Sequence, residues 1–142
     1  MSGAIRYAIY EKKNNEDWVL LSNDLTSTQY TRNGLSDGTY YYKVKALNEA
    51  GWGSEKTSTT VSVLLPPPVP ASINVPSATV TNGSIAISWA AASTATSYTL
   101  QESVSDGAWT TITSATTPSY TVTGRQNGSY KYQVQACNAS GC

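Results

Sequence analysis

The chain repeats itself at an interval of about 90 residues. The first matches lie 91 positions apart and the later ones 90, so one single-residue gap aligns the two copies. The matched pairs are Tyr7 and Tyr98, Glu11 and Glu102, Trp18 and Trp109, Tyr30 and Tyr120, Gly34 and Gly124, Tyr40 and Tyr130, Tyr42 and Tyr132, Val44 and Val134, and Ala46 and Ala136. This period is too long for a solenoid repeat and matches a whole β-sandwich module.

The length of 142 residues holds about one and a half such copies, so we expect incomplete modules. The seam is the proline-rich stretch 66–70, because prolines in series cannot join a central strand ladder and favour a stiff polyproline II spacer. Residues 1–65 are predicted to be the C-terminal part of one module that lacks its first strands. Residues 66–70 form the linker, and residues 71–142 form a second module that lacks its last strand.

Apolar residues alternate with polar ones in short segments, which predicts half-buried β-strands. Aromatic and β-branched residues dominate, as suits a pleated sheet, and no segment shows a helical apolar period. Turn signals such as Asn82-Gly83 and Asn127-Gly128 separate the segments. The pattern predicts an all-β sandwich, and the second module is expected to have a core formed by Ile85, Ile87, Trp89, Tyr98 and Val134.

The charges exclude two classes of partner. Nine basic and nine acidic side chains are scattered along the chain, so no basic stripe is present to bind nucleic acid or a membrane surface. The longest apolar run, residues 61–65, is far too short for a transmembrane helix. We therefore expect no nucleic-acid binding and no membrane insertion.

The two cysteines, Cys137 and Cys142, lie five residues apart. Structural metal sites need three or four ligands, and the chain has no histidine and no further thiol. A local disulfide is the favoured interpretation, and it indicates an oxidising compartment. Two free thiols in a cytosolic protein are the alternative.

Catalytic chemistry finds little support in the sequence. The absence of histidine removes the commonest general base and the usual nucleophilic triads. Glu16 and Asp17 are adjacent carboxylates, but a solvated hairpin turn explains them better than a calcium or acid–base site. Glu11 and Glu102 recur in register and are interpreted as outward-facing strand carboxylates. We predict that the chain is not an enzyme and holds no metal or cofactor.

These segments resemble fibronectin type III domains. Residues 85–89 are similar to the second strand of that family, with Trp89 as the core tryptophan, and residues 34–51 and 124–141 are similar to its sixth strand and the loop that follows. The resemblance implies an immunoglobulin-like β-sandwich. It also implies that Tyr40 and Tyr130 are tyrosine-corner residues, whose hydroxyl bonds to backbone just upstream.

One departure from the family pattern indicates the class of protein from which the chain comes. Both copies are short between the turn glycine and the corner tyrosine, and the second has a cysteine-clamped loop, which resembles modules of bacterial secreted or surface proteins. Leu47 and Trp52 stand at the cysteine positions in the first copy. An apolar pair there is expected to hold the same loop by packing, which favours a structural disulfide over a redox one.

The resulting functional prediction is a non-catalytic spacer or protein-interaction segment of a larger extracellular bacterial protein. The alternative is a carbohydrate-binding accessory module of a secreted polysaccharide hydrolase or adhesin, with Trp18, Trp52 and Trp109 as candidate contacts. The expected partners are neighbouring domains of the parent protein. Because both modules lack strands, we also expect copies of the chain to complete themselves by intermolecular strand pairing or swapping.

Overall fold

The computed structural model describes residues 3–76 and 79–142, and every regular element in these ranges is a β-strand. The chain divides into two compact units, Met1–Leu64 and Leu65–Cys142. The described residues contain no helix long and apolar enough to cross a membrane.

The first unit has one antiparallel sheet. Its strands are β1 (Arg6–Lys13), β2 (Val19–Leu25), β3 (Gly38–Asn48), β4 (Gly51–Trp52), β5 (Lys56–Thr57) and β6 (Val61–Val63). The long strand β3 lies in the middle, with β1 and then β2 on one side. Three short strands, β4, β5 and β6, pair in turn along its other edge.

The second unit has two three-stranded antiparallel sheets. Its strands are β7 (Ile73–Asn74), β8 (Ile85–Trp89), β9 (Ser97–Val104), β10 (Thr110–Ala115), β11 (Ser119–Val122) and β12 (Tyr130–Cys137). One sheet has the order β10-β9-β12 and the other the order β11-β8-β7. Residues 105–109 join β9 to β10, and this connection begins with a tight turn at Ser105 and Asp106, both with positive φ.

The core of the second unit lies between these two sheets. Leu100 is fully buried, and Trp89 packs its ring edge-on against Tyr98 with 5.5 Å between the ring centroids. The buried residues that form the core cluster are Ile85, Ile87, Trp89, Tyr98, Leu100, Val122 and Ala136. Val134 is half-buried and packs against this cluster.

The sequence repeat is also a repeat of strand register. Strand β1 pairs with β3 so that Ile9 opposes Val44, and β9 pairs with β12 so that Leu100 opposes Val134. The inward faces of the two pairs therefore carry equivalent residues. Equivalent residues differ in exposure: Leu100 is 0% exposed while Ile9 is half-buried, and Val134 is half-buried while Val44 is 40% exposed.

The segment 29–32 shows the effect of that missing cover. Its residues match β11 in the repeat, and β11 pairs with β8 in the second unit. The described part of the first unit contains no strand equivalent to β8, and residues 29–32 form no strand. Tyr30 is exposed there, because a strand without a neighbour has no ladder to join.

Candidate functional site

The second unit contains a buried carboxylate held by two side chains. Glu102 lies on β9, is 7% exposed, and accepts hydrogen bonds at Oε2 from Arg125 Nε and Tyr132 Oη, both at 2.7 Å. Burial raises the pKa of Tyr132 above its usual value, and the hydrogen bond to Glu102 raises it further. The hydrogen bond to Glu102 is also the main reason that the pKa of Arg125 is raised.

The first unit contains the same arrangement around Glu11 on β1. Arg32 Nε and Tyr42 Oη each donate to Glu11 Oε2 at 3.0 Å, and Glu11 is 9% exposed. Burial, followed by the hydrogen bond to Glu11, raises the pKa of Tyr42 to about 12. Each unit therefore ties an inward carboxylate to an arginine from the segment before β3 or β12 and to a tyrosine on that strand.

The prediction that Glu11 and Glu102 face outward is wrong. Both lie on the inward face, because the period of two that places Tyr98 and Leu100 in the core also places Glu102 there. The arginine and the tyrosine supply the hydrogen bonds that a buried carboxylate needs. The spacing of two residues from Leu100 was the signal in the sequence that could have revealed this position.

The two arginines are not equivalent in the repeat. Arg32 stands two residues before Gly34, at the position that Val122 fills in the second unit, whereas Arg125 follows Gly124. Val122 packs in the apolar core cluster, which among the described residues includes none from the first unit.

Gly83 positions the Arg125 loop. Arg125 N donates to Gly83 O at 3.0 Å, and a Cβ on Gly83 would lie 2.7 Å from Arg125 O. Gly83 precedes β8, and the first unit has no counterpart to it in the repeat. Arg32 and Arg125 therefore reach the carboxylates of their own units from loop positions that do not match in the repeat.

In both clusters the ionisable groups contact one another. Each carboxylate is neutralised by an arginine, and each tyrosine has a raised pKa, so it is a poor proton donor near neutral pH. In residues 3–76 and 79–142, no group of three or more His, Cys, Asp or Glu side chains is placed to hold a metal ion.

The two corner tyrosines make equivalent contacts. Tyr40 Oη donates to Ser36 O at 2.9 Å, and Tyr130 Oη donates to Gln126 O at 3.0 Å. Both acceptors lie four residues upstream, so each tyrosine closes the loop that leads into its strand.

The loops after β3 and β12 have the same geometry but different closures. Cys137 and Cys142 form a disulfide, whereas Leu47 and Trp52 are cross-strand partners at the matching positions. In both loops an asparagine side chain accepts from the backbone two residues on: Asn138 from Ser140 at 2.8 Å, and Asn48 from Ala50 at 3.0 Å.

The three candidate tryptophans differ in how accessible their rings are to a ligand. Trp18 is half-buried, with Lys43 Nζ 4.9 Å from its ring centroid, so its face is occupied by a cation–π contact. Trp109 is 44% exposed and Trp52 is 46% exposed. Trp52 also borders an open hollow of about 420 Å³ beside Ala4, Ala46 and Gly53.

Lys43 and Lys45 form a polar ladder on the outer face of the first unit. Lys43 Nζ also lies 4.9 Å from the Tyr10 ring centroid, and both lysines form ion pairs with Glu55 at 3.1 and 3.3 Å. The repeat places Gln133 and Gln135 at the matching positions of the second unit. The two outer faces therefore share a fold but not a charge pattern.

Comparison with known proteins gives structural matches only. No family model matches the chain, and a search of curated proteins finds no match either. The FN1-FN3 domains of chicken contactin (CNTN1) superpose with a TM-score of 0.51 and 20% identity, over 98% of this chain and 52% of that one. Domains A168-A170 of titin superpose with a TM-score of 0.53 and 22% identity, over 95% of this chain and 50% of that one.

The chain thus spans about half the length of each of these structures, and the likeness concerns the fold alone. Together with the antiparallel sheets described above, it confirms the predicted fold class. The protein is all-β, with antiparallel sheets and an immunoglobulin-like β-sandwich fold.

Proposed function

We propose that this chain is a non-catalytic structural spacer or protein-interaction segment of a larger extracellular bacterial protein. In this proposal residues 1–65 are the later strands of one fibronectin type III module, residues 66–70 are a stiff linker, and residues 71–142 are a second module without its last strand. The equivalent strand registers of β1–β3 and β9–β12 support the modular assignment.

One observation supports the non-catalytic role most strongly: the buried carboxylates already accept hydrogen bonds from side chains of their own unit. Among the described residues the buried carboxylates are Glu11 and Glu102, and each is bonded to an arginine and a tyrosine of its own unit. A catalytic acid or base needs access to a substrate and a pKa suited to proton transfer. These carboxylates instead link neighbouring elements.

The Cys137–Cys142 disulfide supports an extracellular location, because such bonds persist in oxidising compartments. The bacterial assignment rests on the resemblance of the cysteine-clamped loop to modules of bacterial secreted proteins. Alkylation followed by mass spectrometry, on protein secreted to the bacterial periplasm, should find both thiols oxidised. Free thiols under those conditions would count against this location.

A second candidate function, carbohydrate binding, is favoured by the surroundings of Trp109. Thr110 pairs with the inward Glu102, so Trp109, one residue earlier, falls on the outer face of the sheet. On that face Gln133 Nε2 donates to Gln101 Oε1 at 2.6 Å, and Gln101 Nε2 donates to Thr111 Oγ1 at 3.2 Å. An exposed aromatic ring beside amide groups suits stacking on a sugar with hydrogen bonds to its hydroxyls.

Co-sedimentation with insoluble cellulose, chitin and xylan separates the two functions. A spacer should stay in the supernatant with all three polysaccharides. Retention that is lost in Trp109→Ala, but kept in the control Trp18→Ala, would support the sugar-binding function and contradict the spacer. Trp18 is the matched control because it stands at the equivalent position while Lys43 covers its ring.

A further inference from the structure

The proline segment, residues 65–70, lies within the second compact unit, Leu65–Cys142. Pro67 and Pro70 are buried, whereas Val69 is 83% exposed. A spacing of three residues is the period of a polyproline II helix, so the two buried prolines lie on one face of such a segment. One face of the proline segment is therefore packed and the other is solvated.

The chemistry of proline limits how this segment can be anchored. Pro66, Pro67 and Pro68 have no backbone N–H, so their carbonyl groups are the backbone groups that can form hydrogen bonds. A carbonyl that leaves water then needs a donor from another element. Asn138 supplies such a donor, because its Nδ2 donates to Leu65 O, the carbonyl of the Leu65–Pro66 bond, at 2.8 Å.

The loop that follows β12 orients Asn138 for this contact. Ser140 N donates to Asn138 Oδ1 at 2.8 Å, which fixes the side-chain oxygen on the loop and directs the Nδ2 amide group towards Leu65. Asn138 N donates to Gly141 O at 2.9 Å, and Gly141 N donates to Asn138 O at 3.1 Å. A Cβ on Gly141 would lie 3.8 Å from Pro66 Cγ, so the loop backbone passes beside the first proline ring.

The disulfide holds both ends of this loop. Cys137 is the last residue of β12 and is 7% exposed, and its carbonyl accepts a hydrogen bond from Thr96 N at 2.8 Å. The bond from Cys137 to Cys142 closes the loop on that anchored end. A covalently closed loop has few conformations to lose, so the Asn138 amide stays directed at little further cost in entropy.

We propose that Asn138 clamps the proline segment to the second unit, so that residues 65–70 move with that unit as one rigid piece. The disulfide has a structural role in this clamp, because it holds the loop that carries Asn138. A polyproline II segment is stiff along its own length, so one fixed carbonyl at its start and two buried prolines further on restrain the whole segment. The clamp acts within one compact unit and does not depend on the spacer function proposed above.

Nuclear magnetic resonance on the full chain tests the clamp directly. Scalar coupling across a hydrogen bond should correlate Asn138 Nδ2 with the carbonyl carbon of Leu65 in the wild type. The nitrogen order parameter of the Leu65 amide should be about 0.85, which is the usual value for rigid backbone. A missing correlation together with a Leu65 order parameter below about 0.6 would overturn the proposal.

Asn138→Asp separates the clamp from the turn of its loop. The carboxylate keeps an acceptor for Ser140 N but has no N–H for Leu65 O, so the Leu65 order parameter should fall below about 0.6 while that of Ser140 is unchanged. Asn48→Asp is the matched control, because Asn48 forms the same turn with Ala50 in the first unit, and it should leave Leu65 rigid. Equal effects of the two variants on Leu65, or a Leu65 that stays rigid in Asn138→Asp, would contradict the clamp.

Cys142→Ser tests the role assigned to the disulfide. Opening the loop should lower the order parameters of both Ser140 and Leu65, because the Asn138 amide then loses its fixed direction. The emission of the buried Trp89 should be kept, which shows that the second unit is still folded. If Ser140 becomes mobile while Leu65 stays rigid, the segment is held by a contact other than Asn138 and the proposal fails. If both residues stay rigid, the role assigned to the disulfide is wrong.

Discussion

Arg125→Ala should destabilise the second unit by about 2 to 3 kcal/mol. The variant leaves the Glu102 carboxylate, whose side chain is 8% exposed, with Tyr132 as its hydrogen-bond donor from this cluster. Breaking a buried ion pair typically costs about 3 to 5 kcal/mol. The Arg125 side chain is 26% exposed, so water can reach the vacated space and reduce that cost. For a unit of this size the loss corresponds to a fall in melting temperature of roughly 10 to 20 °C.

Tryptophan fluorescence during urea unfolding measures this effect in the second unit. Trp89 is 4% exposed and is the one fully buried tryptophan of the four, so its emission shift reports the opening of that core. Lys131→Ala is the matched control, because it removes an ion pair with Asp106 of the same unit in which both side chains are more than half exposed. Its effect should stay below about 0.5 kcal/mol.

The arginine variants should differ in their cost to stability. Arg32→Ala should cost less than Arg125→Ala, since the Arg32 pair is longer, at 3.0 Å against 2.7 Å, and more exposed. Arg125→Lys should recover part of the loss, because it restores the charge but not the guanidinium geometry. If Arg125→Ala cost no more than Lys131→Ala, the claim that this arginine stabilises a buried carboxylate would be refuted.

Three more predictions test the same account of stability. The pKa of Tyr42 is raised to about 12, so the stability that its phenol contributes should be present below pH 10 and be lost as the pH rises towards 12. In a spectrophotometric titration, Tyr42→Phe should lack this late-titrating phenol. Cys142→Ser should cost about 2 kcal/mol in thermal melts, because the disulfide closes only a short loop, and a reductant should have no further effect on the variant. Leu100→Ala should cost about 3 kcal/mol, and Ile9→Ala should cost less because its face is only partly covered; equal losses in urea unfolding would contradict the difference in cover.

The sequence predicted the fold class because two periodicities agree. The alternation of Ile85, Ile87 and Trp89 sets the strands, and the 90-residue repeat sets the size of the unit. Residues that differ in identity but keep this register, such as Ile9 and Leu100, occupy equivalent places. Local pattern and global architecture carry the same information here, which is why the fold class was accessible from one chain.

The carboxylate clusters were not predicted, for two reasons. A charged residue on a strand was assumed to face water, although its spacing from Leu100 placed Glu102 inward. Its arginine then could not be found by alignment, because Arg32 and Arg125 stand at non-equivalent positions. Which loop supplies the cation depends on packing around Gly83, and that contact is formed only in the folded unit.

The sequence also did not predict how exposed each tryptophan ring is. Trp18 and Trp109 match in the repeat, yet Lys43 covers one ring while Gln133 stands at the matching position in the second unit. A lysine side chain four carbons long can lie across a neighbouring ring, and whether it does so depends on the strand register. The repeat therefore identified the positions but not their accessibility.

The short edge strand β6 determines how the first unit would respond to mechanical load. Chain tension entering at Leu64 acts on β6, and tension entering at Ile5 acts on β1. These exits lie at opposite ends of β3, since Arg6 pairs with Leu47 and Val63 pairs with Gly38. Stretching thus shears β6 along β3, and the three residues Val61–Val63 carry the force together. A ladder of that length should break first, and its release would lengthen the chain while the eight-residue β1–β3 pairing still holds.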